Sequence, residues 1–143
     1  MQTIVSADLS PRLRLAITRT ARRLRQEADA GLSPSLTAAL STLERHGPLT
    51  PSRLAEIERI QRPTATRLVA KLEEQGLVER EPDPEDGRVC HVAVTREGRE
   101  LVKRMRNRKN AFLSKRLRNL HEDDLRTLER ATAILEAILE DPE

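Results

Sequence analysis

The sequence TPSRLAEIERIQRPTATRLVAKLEEQGLVEREPDPEDGRVCHVAVT, residues 50–95, contains the signals that decide the fold. Its apolar periodicity and turn residues predict a helix, a turn, a second helix, a strand, a tight turn and a second strand. A helix with an outward side of Thr, Arg and Lys can enter a DNA major groove, and a two-stranded ribbon tipped by Arg can reach the neighbouring minor groove. The stretch therefore predicts a unit that grips duplex DNA.

The second of these helices, about residues 62–75, carries most of the side chains that we expect to contact DNA. Its inner stripe at helical spacing is Ala65, Leu68, Val69 and Leu72. The residues expected to contact DNA are Arg62, Pro63, Thr64, Thr66, Arg67 and Lys71. Arginine can bind guanine through two parallel hydrogen bonds, and threonine can offer a hydroxyl to phosphate or a methyl to thymine. Taken alone, the helix fits equally well as a solvated face that Glu73 and Glu74 partly neutralise.

The hairpin that follows favours DNA contact over an ordinary solvated surface. Two prolines and the Asp86-Gly87 pair predict a stiff turn, because Asp-Gly is a strong hairpin signal. Arg88 then lies at the tip or just past it. Since the acids of this turn repel phosphate, we expect Asp86 to pair with an arginine and hold its guanidinium in a fixed pose against DNA. The alternative is an acidic solvent loop in which Arg88 only satisfies its neighbours.

Three pairs of a capping residue and a proline predict where helices begin. The pairs are Ser10-Pro11, Ser33-Pro34 and Thr50-Pro51. Each combines a good N-cap with a proline suited to the first helical position. They predict helices over about residues 11–29, 34–46 and 51–59. We expect Met1 to Ala7 to form a loose arm or a segment exchanged within a dimer.

Helical periodicity returns after Thr95 and continues towards the C-terminus. The last apolar series has the alternating three- and four-residue spacing of a helix-packing seam. Helices of this length exceed what a small winged core can cover, so we expect their apolar stripes to be buried between two subunits. The residues predicted to form the dimer contact are Leu13, Ile17, Leu125, Leu128, Leu135 and Leu139.

The predicted fold is mainly α with a small β-wing, in one fold unit. A winged helix-turn-helix DNA-binding domain is expected over residues 34–95. Residues 1–33 and 96–143 are expected to form a helical dimerisation domain from both termini. A chain of 143 residues with 37% hydrophobic residues can bury one modest core and an interface.

Composition narrows the class of partner. The net charge is only +3 although the pI is about 9.6, so a nucleic-acid partner has to be argued from where the charges lie. An aromatic content of 1% argues against single-strand binders, which stack bases on aromatic side chains. One cysteine cannot form an intrachain disulfide, and no apolar run suits a membrane span, so we expect a cytoplasmic protein without a membrane partner.

No motif in the sequence indicates catalysis, a metal or a cofactor. No nucleophile is paired with a base, and there is no glycine-rich phosphate loop. His46, His91 and His121 lack the spacing of metal ligands. Cys90 is interpreted as a small strand residue rather than a redox switch. We therefore expect a protein that is not an enzyme.

Five motifs, weak singly and specific together, point to one family. They are Leu54-Ala55, Arg62 to Val69, Leu72 to Val78, Asp83 to Arg88 and Val94 to Gly98. With them the chain resembles the MarR family of bacterial winged-helix transcription regulators over nearly its whole length. The resemblance implies an obligate homodimer, a recognition helix at residues 62–75 and a wing whose Arg88 enters the minor groove. It also implies repression or activation modulated by a small, often phenolic or anionic, ligand between the two domains.

Two DNA-binding functions follow from the sequence. The leading hypothesis is a sequence-specific homodimeric regulator, expected to be a repressor, on a pseudo-palindromic double-stranded operator. The alternative is a chromosome-coating protein that uses the same winged helix without sequence choice. With so few aromatic residues, a phenolic effector would find little to stack on, so the effector is implied by the resemblance alone.

Overall fold

The computed structural model describes the backbone of residues 2–140 and the side chains of residues 7–140. Over this range the chain forms helices and one two-stranded antiparallel sheet. In chain order the elements are α1 (Gln2–Glu27), α2 (Pro34–His46), α3 (Pro51–Glu58), α4 (Arg62–Glu74), β1 (Val78–Pro82), β2 (Cys90–Val94), α5 (Arg96–Leu117) and α6 (Glu122–Glu140). This architecture confirms the predicted fold class, which is mainly helical with a small wing.

The elements form two compact units, Met1–Lys109 and Asn110–Glu143. The first unit contains α1 to α4, the hairpin and the first part of α5. Its core runs from Ala28, the residue after α1, to Met105 in α5. The second unit contains the end of α5 and α6, and α6 has no buried residue among those described. The core that positions the candidate site therefore lies in the first unit.

The core of the first unit includes Val69 and Leu72 of the inner stripe that the periodicity predicted for residues 62–75. Its largest fully buried side chains are Leu40, Leu43, Leu54, Val69, Leu72 and Val92. One polar side chain is buried with them. Thr42 donates from Oγ1 to Glu58 Oε1 at 2.6 Å, which satisfies the hydroxyl and joins α2 to α3. Ile57 of α3 is only half-buried.

Two of the predicted helix starts are confirmed by capping geometry. Ser33 Oγ accepts a hydrogen bond from the Leu36 N–H at 3.2 Å, and Thr50 Oγ1 accepts one from the Arg53 N–H at 3.1 Å. A proline occupies the first turn of each helix. These caps satisfy donors that a helix start leaves without an internal partner. For this reason α2 and α3 begin where the sequence predicts.

The predicted helix start at Pro11 is wrong. α1 begins at Gln2 and continues through Pro11, so residues 2–7 are helical instead of forming a loose arm, and Met1 lies outside the described residues. A proline inside a helix removes one N–H bond and crowds the carbonyl four residues earlier. Several residues before it, such as Thr3, Ile4 and Val5, are weak helix formers, so intrinsic propensity does not account for the continuation.

The turn between α3 and α4 contains a left-handed residue that is not glycine. Arg59 has φ 56° and ψ 45°. Its N–H donates to Glu56 O at 3.3 Å, and the N–H of Ile60 donates to Ala55 O at 3.0 Å. These two bonds form a Schellman motif, in which glycine usually takes the left-handed position. A residue with a Cβ costs about 1–2 kcal/mol in that conformation, so this turn is strained at Arg59.

The hairpin has a buried root and an exposed tip. β1 and β2 pair with Val78 opposite Val94 and Pro82 opposite Cys90. In β1 only Val78 is buried, and the four residues after it are exposed. The loop at residues 83–89 therefore lies away from the core, as the predicted wing requires.

A close backbone contact joins the start of α5 to the root of the hairpin. The Thr95 N–H donates to Leu77 O at 3.0 Å, and Thr95 Oγ1 donates to Gly76 O at 2.6 Å. The same hydroxyl oxygen accepts from the Gly98 N–H at 3.2 Å. A Cβ at Gly98 would lie 2.2 Å from Leu77 O and 2.7 Å from Val94 Cγ1. The junction therefore requires glycine at residue 98.

We predict that Gly98→Ala lowers the free energy of unfolding by about 1–3 kcal/mol, because the new methyl group must displace the backbone of Leu77. Urea denaturation of the two proteins checks this value. Gly87→Ala is the matched control, since a Cβ at Gly87 meets nothing within 4 Å, and its effect should stay within about 0.5 kcal/mol. Equal urea midpoints for Gly98→Ala and the parent would contradict the close contact.

Candidate nucleic-acid interface

The core fixes which side of α4 faces outward. Ala65, Val69 and Leu72 are completely buried. Leu68, also predicted for the inner stripe, is only half-buried and packs at the edge of the core. Because successive helical residues are turned by about 100°, burial of these positions sets the direction of the remaining side chains.

The α4 residues predicted to contact DNA lie mainly on its exposed side. The exposed ones are Arg62, Pro63, Thr66, Arg67 and Lys71, and Thr64 is half-buried. Thr66 Oγ1 donates to Arg62 O at 3.0 Å, and an Arg67 guanidinium nitrogen lies at 3.5 Å from Thr64 Oγ1. Since the Thr66 hydroxyl proton is engaged, this side chain offers its methyl group and an acceptor oxygen to a ligand. DNA contact by these residues stays a prediction.

An ion pair that the sequence did not indicate ties the hairpin to the end of α4. Arg80 Nε of β1 lies 3.2 Å from Glu73 Oε2. Both side chains are partly exposed, so the pair is worth at most about 1 kcal/mol of stability. Its effect is to neutralise Glu73 and to hold the hairpin beside α4.

Asp83 organises the wing loop through both of its carboxylate oxygens. Oδ1 accepts the N–H groups of Glu85 at 2.8 Å and Asp86 at 3.2 Å, and Oδ2 lies 2.8 Å from His91 Nε2. The hydrogen bond with His91, followed by that from Glu85, lowers the pKa of the Asp83 carboxyl below its ordinary 3.8. The sequence alone did not indicate this cluster. The register of the hairpin is the signal that could have found it, because Glu81 pairs with His91 and Asp83 follows two residues later.

The predicted pairing of Asp86 with an arginine is present in the wing. Asp86 Oδ1 accepts the N–H of Arg88 at 3.0 Å and lies 3.5 Å from Arg88 Nε. The Arg88 side chain is 95% exposed. The Arg88 guanidinium thus extends into solvent, with the Asp86 carboxylate close to its Nε atom. The entry of this guanidinium into a minor groove stays a prediction.

A cleft of about 460 Å³ lies between the hairpin, the end of α2 and the start of α5. Four carboxylates line it, from Glu44, Glu79, Glu81 and Glu97, together with Arg96 and Arg99. A surface rich in carboxylates repels the DNA backbone, which carries one negative charge per phosphate. The cleft therefore does not belong to the candidate interface.

The residues predicted for dimerisation lie on apolar stripes of α1 and α6. On α1, Leu13 is half-buried and Ile17 is 46% exposed. On α6, the exposed fraction rises from 37% at Leu125 to 86% at Leu139. Leu128 is also exposed and Leu135 is half-buried. Contiguous exposed apolar side chains of this kind mark contact surfaces.

Other site types find little support in the described residues. No helix among them is long and apolar enough to cross a membrane. Within the same range, no three His, Cys, Asp or Glu side chains are grouped as metal ligands. Cys90 is half-buried in β2, and its thiol lies 3.8 Å from His91 O.

Comparison with known proteins links this geometry to one family. The model of the MarR family matches residues 32–90. An HTH-type transcriptional regulator of Mycobacterium leprae is 42% identical over 138 residues, which is 95% of this chain and 96% of the relative. The crystal structure of a transcriptional regulator from Pseudomonas aeruginosa superposes with a TM-score of 0.86 at 30% identity, over 96% of this chain and 97% of the other. A MepR mutant of S. aureus bound to an oligodeoxyribonucleotide has the same fold, with a TM-score of 0.71 at 19% identity over 92% and 97% of the two chains.

The lowered pKa of Asp83 predicts acid sensitivity of the wing loop. Because the pKa in the folded loop is below the ordinary 3.8, the stabilisation is complete above about pH 4 and is lost as the pH falls through the folded value. Carbon NMR of the Asp83 carboxyl should give a midpoint below 3.8. His91→Leu should move that midpoint upward, since it removes the largest contribution. A parent midpoint at or above 3.8 would refute the assignment.

Proposed function

The chain belongs to the MarR family of transcriptional regulators, and from this premise we propose that it acts as a homodimeric, sequence-specific repressor on a pseudo-palindromic operator. As a family member it is a DNA-binding regulator and not an enzyme. The observation that carries the proposal is the outward side of α4, which the core fixes in direction and which bears Thr66, Arg67 and Lys71.

In the proposed complex, α4 lies in the major groove. Arg67 is assigned to a guanine edge, because its guanidinium can donate two parallel hydrogen bonds to O6 and N7. The Thr66 methyl group is assigned to a thymine methyl, since its hydroxyl proton is engaged by Arg62 O. Lys71, one turn after Arg67, is assigned to a phosphate. Gln61 makes no side-chain cap at the start of α4, so the first-turn N–H groups can also bind a phosphate.

The wing is assigned to the neighbouring minor groove. Arg88 would insert there, where a narrow A/T-rich segment concentrates negative potential. Asp86 supports this role through its contacts with the Arg88 backbone and side chain. It limits the orientations of a guanidinium that is otherwise in solvent.

The apolar stripes of α1 and α6 are assigned to the dimer interface. Burial of a leucine or isoleucine side chain stabilises by about 1.5–3 kcal/mol, and several such side chains are exposed on each helix, including Leu9 and Leu15 on α1 and Ile134 and Ile138 on α6. A two-fold dimer would present two copies of α4 about 34 Å apart, one DNA turn, which matches a palindromic site.

Repression follows if the dimer covers promoter DNA and excludes polymerase. A small effector would act by changing the separation of the two recognition helices. The cavity between α1, α2 and α5, lined among others by Arg25, Asp29 and Met105, has a volume of about 40 Å³. That volume holds a few water molecules, so an organic ligand would have to widen the cavity.

A competition assay tests the proposed sequence specificity against the alternative of a chromosome-coating protein. The probes are a duplex selected from a random library for tightest binding and a random duplex of equal length at the same salt. The selected duplex should win by roughly a thousandfold or more. Arg67→Ala should cost about 1–3 kcal/mol on the selected duplex and less on the random one. Equal affinity of the parent for both duplexes would favour the coating protein.

For the wing, we predict that removal of an acidic side chain weakens DNA binding. Arg88→Ala should weaken binding most on duplexes with A/T-rich flanks. Asp86→Ala should reproduce part of this loss although it removes a negative charge, whereas simple electrostatics predicts tighter binding. Asp86→Asn keeps an acceptor for the Arg88 N–H and is the control, with a smaller loss. Tighter binding by Asp86→Ala in salt titrations would mean that the acid does not orient Arg88.

The dimer interface predicts a loss of assembly when a charge enters the seam. Leu128→Asp or Leu135→Asp should give a monomer that has lost high-affinity binding, because a carboxylate buried without a partner is strongly unfavourable. Light scattering at micromolar concentration measures the mass. Arg126→Asp, an exposed position on the same helix, controls for the added charge. A folded monomer of the parent protein would exclude the proposed assembly.

A further inference from the structure

We infer that Arg59, in the turn between α3 and α4, is a DNA-phosphate contact, and that the turn holds arginine in place of glycine for this purpose. The inference rests on the proposed DNA complex. It adds to that complex a residue that lies outside both the recognition helix and the wing.

The backbone at Arg59 is the first observation. Among residues 2–140, Arg59 is the only residue other than glycine with a positive φ. The remaining positive φ angles belong to Gly31, Gly47 and Gly76, at 78°, 81° and 73°. The chain thus uses glycine wherever else a left-handed residue is needed. A long cationic side chain does not stabilise the left-handed position of a Schellman motif. We therefore attribute the arginine to a contact outside the turn.

The surroundings of Arg59 are the second observation. Its side chain is exposed, and among the described residues it has no hydrogen bond or ion pair. The two nearest acids in the chain are engaged elsewhere. Glu56 binds Arg53 at 2.8 Å, and Glu58 accepts the hydroxyl of Thr42 at 2.6 Å. The positive charge of Arg59 is therefore available to an external anion.

The position of Arg59 in the motif identifies that anion. The residue stands three places before Arg62, the first residue of α4. In a helix-turn-helix complex the start of the recognition helix reaches the base edges, and the preceding helix crosses the sugar-phosphate backbone. The turn between them therefore lies where a phosphate strand borders the groove. A planar guanidinium can bind a phosphate through two parallel hydrogen bonds.

The assignment predicts weaker DNA binding without a loss of stability. Arg59→Gly removes the charge together with the backbone strain, whereas Arg59→Gln removes the charge and keeps the strain. Both variants should bind DNA more weakly than the parent. The thermal midpoint should be unchanged for Arg59→Gln, and unchanged or higher for Arg59→Gly, because glycine suits the left-handed conformation. A residue with a purely structural role would change the two properties in the same direction.

The experiment measures affinity against salt concentration for the parent, both Arg59 variants and Arg45→Gln. Arg45 is an exposed cation in the last turn of α2 and controls for the loss of one positive charge. The probes are the library-selected duplex and a random duplex of equal length. For the Arg59 variants the affinity should fall by a similar factor on both duplexes. The slope of log K against log salt should become shallower by about 0.9 for each lost contact, and Arg45→Gln should keep the parent slope.

Three results would overturn the inference while leaving the proposed function intact. They are a parent-like slope in both Arg59 variants, a loss confined to the selected duplex, and a loss of affinity that occurs only with a lower thermal midpoint. The second result would make Arg59 a base-reading residue, and the third would make it a structural one. Failure of the parent protein to bind either duplex would reject the proposed function, and the inference with it.

Discussion

The complete burial of Ala65, Val69 and Leu72 is the constraint on which the candidate interface depends. A helix has one rotational freedom about its axis, and three buried positions on one stripe remove it. Arg67 and Lys71 then have fixed Cα–Cβ directions, so binding would cost them only their own rotamer freedom. A change that loosened this stripe would alter the orientation of Arg67 and Lys71 without replacing any residue assigned to DNA contact.

The wing loop is held in place by polar contacts, whereas α4 is held in place by the apolar core. Its first strand buries only Val78, too little apolar surface to fix a loop that lies several residues further on. The loop relies instead on the Asp83 carboxylate, which accepts two backbone N–H groups and contacts His91 across the hairpin. Such a segment has fewer buried contacts than α4, so it should open locally at lower free energy. Loss of a polar contact should therefore disturb the wing loop, whereas a change in the core should disturb the orientation of α4.

The sequence predicted those parts of the fold in which the controlling interaction is local. Capping pairs located the starts of α2 and α3, apolar periodicity located α4, and the Asp86-Gly87 turn located the hairpin, because each of these signals depends on residues only a few positions apart. The signal at Pro11 failed, since a proline suits the first turn of a helix but does not prevent the residues before it from being helical. The left-handed Arg59 could not be predicted without a glycine to mark it. The contact of Asp83 with His91 depends on hairpin register, which the alternation of residue types did not specify. The DNA and dimer contacts themselves stay predictions.

A net charge of only +3 is compatible with DNA binding because the hairpin separates its charges. Successive residues of a strand point to opposite faces, so Glu79 and Glu81 line the cleft while Arg80 reaches Glu73 on α4. The carboxylates of β1 thus lie on the face away from α4, and Glu73, one of the two acids at the end of α4, is neutralised by Arg80. In the wing, Asp86 contacts Arg88 instead of standing free. The attraction for a phosphate backbone comes from this placement of charge, which neither the composition nor the isoelectric point records.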